Sequence, residues 1–202
     1  MPTDHAISNP TGVARILYKE IVLGDIRKTK AESNDSDSGG GARDFRFGDF
    51  ASLEAIIRKM FPTALMEQRR RNGQSMSVEI FRGRFYWNFN GVDENKEVDF
   101  EPPTTARPSE GRITRVHEQP CFSPDRIPTF NDGNKVLLLL VQRNDGTVWP
   151  YFIEEASLEE PGAWDERVAK DILKCINARR AANRVVIGYR DFITGGGYCN
   201  GK

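Results

Sequence analysis

Val136-Leu-Leu-Leu-Leu-Val141 constrains the fold more than any other stretch of the chain. It is a continuous apolar run with no helical or alternating pattern, and it is short. Such a run fits a strand buried on both faces. Asn144-Asp145-Gly146-Thr147 follows, and Asn, Asp and Gly are the residues a tight hairpin turn demands. Val148-Trp-Pro-Tyr-Phe-Ile153 reads as the returning strand, with Pro150 arguing for an edge or a bulge because it has no amide to donate.

Around this hairpin the remaining elements follow in order. Val13 to Ile26 alternates imperfectly and reads as a strand entering a sheet. Phe45 and Phe47 flank Arg46 with the period of a strand. Phe50, Leu53, Ile57, Met60 and Phe61 share one face of a helix that Asp49 can cap and Pro62 stops. Arg69-Arg70-Arg71-Asn72-Gly73 reads as a basic turn. Ser75 to Asn88 reads as two strands of an aromatic-rich hairpin turning at Arg82-Gly83. Residues 93–120 read as irregular until a strand begins near Ile113. Ser157 to Glu160 has capping-box spacing, and Trp164 to Ala182 is a second helix with Val168, Ile172, Cys175, Ile176 and Arg179 on one face. Arg184 to Tyr189 is a last strand, and an irregular tail follows. Repeated βαβ alternation is absent. The order favours a mainly β, α+β fold: a mixed, largely antiparallel sheet or barrel with two flanking helices.

Composition limits the function more than it suggests one. The 202 residues are most economically one domain. Lysine and arginine number 29 and the acids 29, so a basic site must be local rather than global. Cys121, Cys175 and Cys199 are few, odd in number and lack CxxC spacing, which suggests reduced thiols in a cytoplasmic protein. No apolar run approaches the length of a membrane span, and the N-terminus does not read as a signal peptide. His5 and His117 stand apart from any nucleophile or metal motif, and no GxSxG, HExxH or Walker-A pattern occurs. The sequence therefore names no catalytic residue, metal or cofactor.

The positive signal lies in two polar stretches. Arg27 to Phe47 brackets small polar residues and three consecutive glycines, Gly39–Gly41, with Lys28, Lys30, Arg43 and Arg46. Residues 101–115 combine proline-stiffened chain with Arg107, Ser109, Glu110, Arg112 and Arg115. Arginine reads guanine through paired hydrogen bonds, asparagine suits adenine, and a carboxylate accepts from the cytosine amino group. Asn34 and Glu110 supply the last two types among cations. Each stretch has a blander reading as a solvated surface loop.

These residues resemble a known family. Lys30-Ala-Glu-Ser33-Asn34-Asp35-Ser-Asp-Ser-Gly-Gly, then Ile57-Arg-Lys-Met-Phe61-Pro62, looks like the effector-binding N-terminal domain of EcoRII-type restriction endonucleases. Arg84-Phe-Tyr-Trp-Asn and Glu110-Gly-Arg112-Ile113-Thr114-Arg115 resemble that domain's second DNA-contacting arm. The resemblance covers about residues 15–155. It implies a pseudobarrel, of about seven or eight strands here, shared with a class of plant transcription factors. It also implies two arms, 27–46 and 101–115, that grip duplex DNA from the major-groove side. Ser33, Asn34 and Asp35 match the first arm's polar turn, and Glu110, Arg112 and Arg115 match the second arm's reading residues. Gly111 departs from the pattern, which has a basic side chain there. No counterpart of the nuclease domain is present in the sequence, so the resemblance does not imply cleavage by this chain.

The expectation is a sequence-specific binder of double-stranded DNA, with Lys28, Lys30, Ser33, Asn34, Asp35, Arg43, Arg107, Ser109, Glu110, Arg112 and Arg115 as contacts. It would serve as recognition component of a restriction or defence system, beside a nuclease or other effector subunit. The alternatives are a metal-dependent nuclease or nucleotide-binding enzyme with a site not recognised in the sequence, and a protein-interaction domain whose loops hold a partner.

Overall fold

A computed structural model describes residues 12–27, 29, 43–71, 74–129, 135–180 and 185–200. In chain order these form β1 (Val13–Ile21), α1 (Leu23–Arg27), β2 (Phe45–Phe47), α2 (Phe50–Met60), β3 (Thr63–Arg71), β4 (Gln74–Phe89), β5 (Val92–Glu101) and β6 (Gly111–Ile113). Short 3-10 turns between Val116 and Arg126 lead to β7 (Val136–Arg143), β8 (Val148–Glu154), α3 (Glu155–Glu159), α4 (Glu166–Arg180), β9 (Ile187–Asp191) and β10 (Gly197–Cys199). The fold is mainly β with two longer helices, α2 and α4, and its described strands number ten rather than seven or eight. The chain divides into two compact units, Met1–Val22 with Ile127–Lys202, and Leu23–Arg126.

In the first unit the strands run β10-β9-β1-β7-β8, each antiparallel to its neighbour. β7 is buried from Val136 to Gln142, as an unbroken apolar run requires. Its turn is the expected one: Gln142 pairs with Val148, and the Asp145 carboxylate accepts from the Thr147 amide at 2.9 Å and hydroxyl at 2.6 Å. The predicted face of α4 is buried at Val168, Ile172, Cys175, Ile176 and Arg179, and its four apolar members pack on Ile16, Leu137 and Leu139. Asp165 holds the start of α4, its carboxylate accepting from the Arg167 amide at 2.9 Å and its carbonyl from the Ala169 amide at 3.0 Å.

Three expectations fail in this unit. The capping box at Ser157 does not form; its hydroxyl donates to the Glu154 carbonyl at 2.7 Å inside α3. The tail is not wholly irregular, because residues 197–199 add β10 beside β9. Cys175 and Cys199 are not reduced thiols but a disulfide, with Cα atoms 5.7 Å apart. Their separation of 24 residues carries no recognisable spacing. Only the fold, which lays β10 next to the buried face of α4, brings them together. Cys121 is a buried free cysteine, and burial pushes its thiol up to about 12.

In the second unit the order is β3-β4-β5-β6-β2, again antiparallel throughout. One face is aromatic. Phe45, Phe47, Phe61, Phe85, Phe100 and Phe122 are fully buried, with ring centroids 5.0–5.9 Å apart in the pairs they form. Burial of each such ring contributes about 2–3 kcal/mol. α2 adds Phe50, Leu53, Ile57 and Met60 to this face, as its periodicity predicts.

The elements of this unit differ from expectation at five places. The stretch expected to continue as strand to Ile26 turns instead into the helix α1. The basic stretch before Asn72 is strand, not turn: β3 pairs with β4 from Thr63 opposite Arg82 to Arg71 opposite Gln74. β4 runs unbroken through Arg82 and Gly83, and the turn falls at Asn90 and Gly91, where φ is 51° and 82°. Gly83 is there for space, since a Cβ would stand 2.9 Å from the Phe61 ring and 3.0 Å from the Met60 carbonyl oxygen. Residues 93–101, expected to be irregular, belong to β5. Asp49 does not cap α2 with its side chain; it stands at the N-cap with φ 54°, and its carbonyl accepts from the Ser52 amide at 2.9 Å. Among the described residues no helix is long and apolar enough to cross a membrane.

Candidate functional site

The other face of the second unit's sheet is charged. Strand alternation explains this: Arg46, Arg82, Asp99, Glu101 and Arg112 alternate with the buried Phe45, Phe81, Phe100 and Ile113. Register then sets opposite charges side by side, with Arg82 across from Asp99 and Arg112 across from Glu101. The side chains of Asp99 and Glu101 are each 2% exposed, and arginines surround them.

Arg82 grips Asp99 with two nitrogens, at 2.8 and 3.2 Å, and also donates to Glu67. Arg69 reaches from β3 to Asp99 at 2.6 Å, Glu101 at 2.5 Å and Glu67 at 3.2 Å. Arg112 donates to Glu101 at 2.5 Å and to Asp44 at 2.9 Å, and Arg115 to Asp99 at 2.9 Å. Burial opposes ionisation of Asp99, but the hydrogen bond from Arg82 and the charges of Arg82, Arg69 and Arg115 outweigh it. They hold its carboxyl below the usual range. Asp44 goes the other way: burial, aided by the nearby Glu101, pushes its carboxyl up against the pull of Arg112 and Arg46.

Four arginines (69, 82, 112 and 115) thus meet four carboxylates (44, 67, 99 and 101). The lattice is close to neutral and is no phosphate trap by itself. What it does is orient: the planar guanidinium groups of Arg69, Arg82 and Arg112, each locked by two or more acceptors, cannot wander.

The two stretches singled out in the sequence meet beside this lattice. β2, the end of the first, pairs with β6, the end of the second: Phe45 faces Ile113, Arg46 faces Arg112, and Phe47 faces Gly111. The Val116 amide donates to the Arg43 carbonyl at 2.9 Å, and the Phe50 amide to the Ser109 carbonyl at 3.0 Å. Like charges opposed across a ladder repel. Arg46 and Arg112 tolerate it because Glu110 accepts from Arg46 at 3.1 Å while Glu101 and Asp44 hold Arg112.

Of the predicted contacts, Lys28, Lys30, Ser33, Asn34 and Asp35 lie outside the described residues. Arg43 is half-buried at the root of β2, and Ser109 is exposed. Arg107 is exposed in a turn closed by its pairing with Thr104, and donates to Glu110 at 3.2 Å. Arg115 is exposed, on a backbone with φ 53°, a left-handed conformation a non-glycine residue adopts only when its surroundings impose it. Arg112 is the least available, its guanidinium held on both sides.

Asp44, Glu67 and Asp99 were not singled out from sequence, and Arg69 and Arg82 were read there as turn residues. The legible signal was the alternation Val98-Asp99-Phe100-Glu101, two acids on one side of a strand whose other side is apolar. Gly111 has no room for the basic side chain of the resembled pattern, since a Cβ would meet the Phe50 and Phe100 rings at 2.5 Å. Among the described residues no group of three or more His, Cys, Asp or Glu is arranged to hold a metal ion. No protein-family model, curated protein or solved structure matches the chain.

Proposed function

We propose that the chain binds double-stranded DNA sequence-specifically through two arms, residues 27–46 and 101–115, entering the major groove from one side. The observation that carries this reading is the β2–β6 pairing, which roots both stretches at one place beside an ordered field of arginines. Two base-reading segments must share a footing to address one groove, and segments scattered over the surface could not. The pseudobarrel and the likeness to EcoRII-type recognition domains belong to the same proposal. So do a cytoplasmic setting and a role as recognition component beside a nuclease or other effector subunit.

Because the lattice is nearly neutral, phosphate attraction falls to cations outside it, with Lys28, Lys30 and Arg43 foremost. Base reading falls to Asn34, Asp35, Arg107, Glu110 and Arg115. Arg107 gives the cleaner test, because Arg112→Ala would also strip a partner from buried Glu101. Arg107→Ala should relax discrimination at one base pair by about 1–3 kcal/mol. Lys28→Ala and Lys30→Ala should weaken every duplex alike and each lower the salt slope by about one. Quantitative shift assays across salt concentrations separate the two patterns, and equal, sequence-blind losses from all three substitutions would refute this division. Incubation of a plasmid with the protein and magnesium tests for cleavage; metal-dependent cuts would make the chain an enzyme.

A further inference from the structure

Arg115 differs from the other lattice arginines in how it is held. Its side chain is 54% exposed, against 18–26% for Arg69, Arg82 and Arg112. Those three are each engaged by at least two carboxylates. The Arg115 guanidinium donates through Nη2 to Asp99 at 2.9 Å and takes no other partner among the described residues. A guanidinium carries five N–H donors in one plane, so an outer edge with paired donors stays open.

That edge is set in place. Asp99 is buried and is itself clamped by Arg82 at 2.8 Å and Arg69 at 2.6 Å, so it anchors the guanidinium that touches it. The backbone is fixed as well. Around the left-handed φ of 53°, the Thr114 amide donates to the Asp99 carbonyl at 3.1 Å and the Val116 amide to the Arg43 carbonyl at 2.9 Å. The Glu118 amide donates to the Arg115 carbonyl at 3.0 Å. Arg107 has no such hold: its partner Glu110 is 34% exposed and is shared with Arg46, and exposed pairs order a side chain little.

A pre-aimed pair of donors favours two acceptors at fixed spacing, because little entropy remains to be lost. In the major groove guanine offers them, N7 and O6. Adenine sets a donor beside its acceptor, thymine a methyl, and cytosine presents a donor. Phosphate oxygens are also paired, but Asp99 already offsets the charge of Arg115, which weakens its attraction for an anion more than for a neutral base.

We propose that Arg115 reads a guanine through N7 and O6, and that Asp99 is the positioning residue that aims it. The assignment rests on the duplex-binding reading above and deepens it by naming the base.

The experiment takes the full chain through selection of bound duplexes from a random pool. Arg115→Ala should relax one guanine of the enriched motif about tenfold. The enriched duplex is then titrated against the same duplex with 7-deazaguanine, which lacks N7, at that guanine. The readout is the ratio of the two affinities within each variant, because a general loss of structure weakens both duplexes alike. Wild type should prefer guanine about fivefold, and Arg115→Ala should show a ratio of one. Asp99→Asn should bring the ratio most of the way to one. If urea unfolding shows that Asp99→Asn does not stay folded, Asp99→Glu, which keeps the charge but moves it by a methylene, takes its place with the same expectation. A wild-type ratio of one, or a motif in which Arg115→Ala relaxes no guanine, would overturn the assignment while leaving duplex reading in place. A full wild-type ratio in the folded Asp99 variant would strip Asp99 of its role. A pool that yields no motif would refute sequence reading itself, and the guanine with it.

Discussion

Gly111 shows how a single position decides what the candidate site can contain. Its place opposite Phe47 leaves no volume for a Cβ between the Phe50 and Phe100 rings. Gly111→Ala should therefore cost about 1–3 kcal/mol of stability by overpacking. Urea denaturation reads this directly, and a loss below about 0.5 kcal/mol, within the range of ordinary surface changes, would show that the rings yield. Asp99 is the second decisive residue. Its carboxyl is held below the usual range when folded and titrates at about 3.9 when unfolded. A depressed folded value contributes stability fully above the unfolded one, and loses it as pH falls through the folded one. Wild-type stability should therefore drop as pH falls below about 4. Asp99→Asn, already less stable at neutral pH by about 3 kcal/mol because its arginines lose an acceptor, should show a shallower acid loss. Parallel acid profiles for the two proteins would remove Asp99 from the explanation.

At the scale of elements, the Cys175–Cys199 bond fastens the short β10 to α4. Closing a loop with a sequence separation of 24 restricts the unfolded chain, so Cys199→Ser should lower stability by about 3 kcal/mol. A dithiol reductant should lower the wild type by a similar amount and leave the variant unmoved. Equal sensitivity of both to reductant would contradict the bond. The elements legible in sequence are β7, apolar on both faces, and those with one clearly apolar side: α2, α4 and the strand at Phe45–Phe47. The elements missed are those whose side chains look polar in sequence. β3 reads as a basic turn because Arg69 finds its carboxylates on β5, 30 and 32 residues away. β5 reads as a loop because its residues 92–97 are exposed and are held by the ladder to β4 and by the distant Glu118 and Gln119, which meet Lys96 and Glu97. Local pattern carries no trace of a partner so distant.

For the whole molecule, a neutral chain can bind a polyanion only through local placement of charge. That placement was half legible. The two stretches stood out in sequence as cations among base-reading side chains, and β2 and β6 bring their ends together. The acidic half of the lattice was not legible, since Asp44, Asp99 and Glu101 acquire meaning only once arginines from β3, β4 and β6 converge on them. The most direct test of DNA reading by two arms is repeated selection of bound duplexes from a random-sequence pool at physiological salt, followed by sequencing. Two arms sharing one footing should enrich a single short motif, and Arg107→Ala should degrade that motif at one position. A pool that stays random through successive rounds, while the protein remains folded, would contradict sequence recognition by this chain.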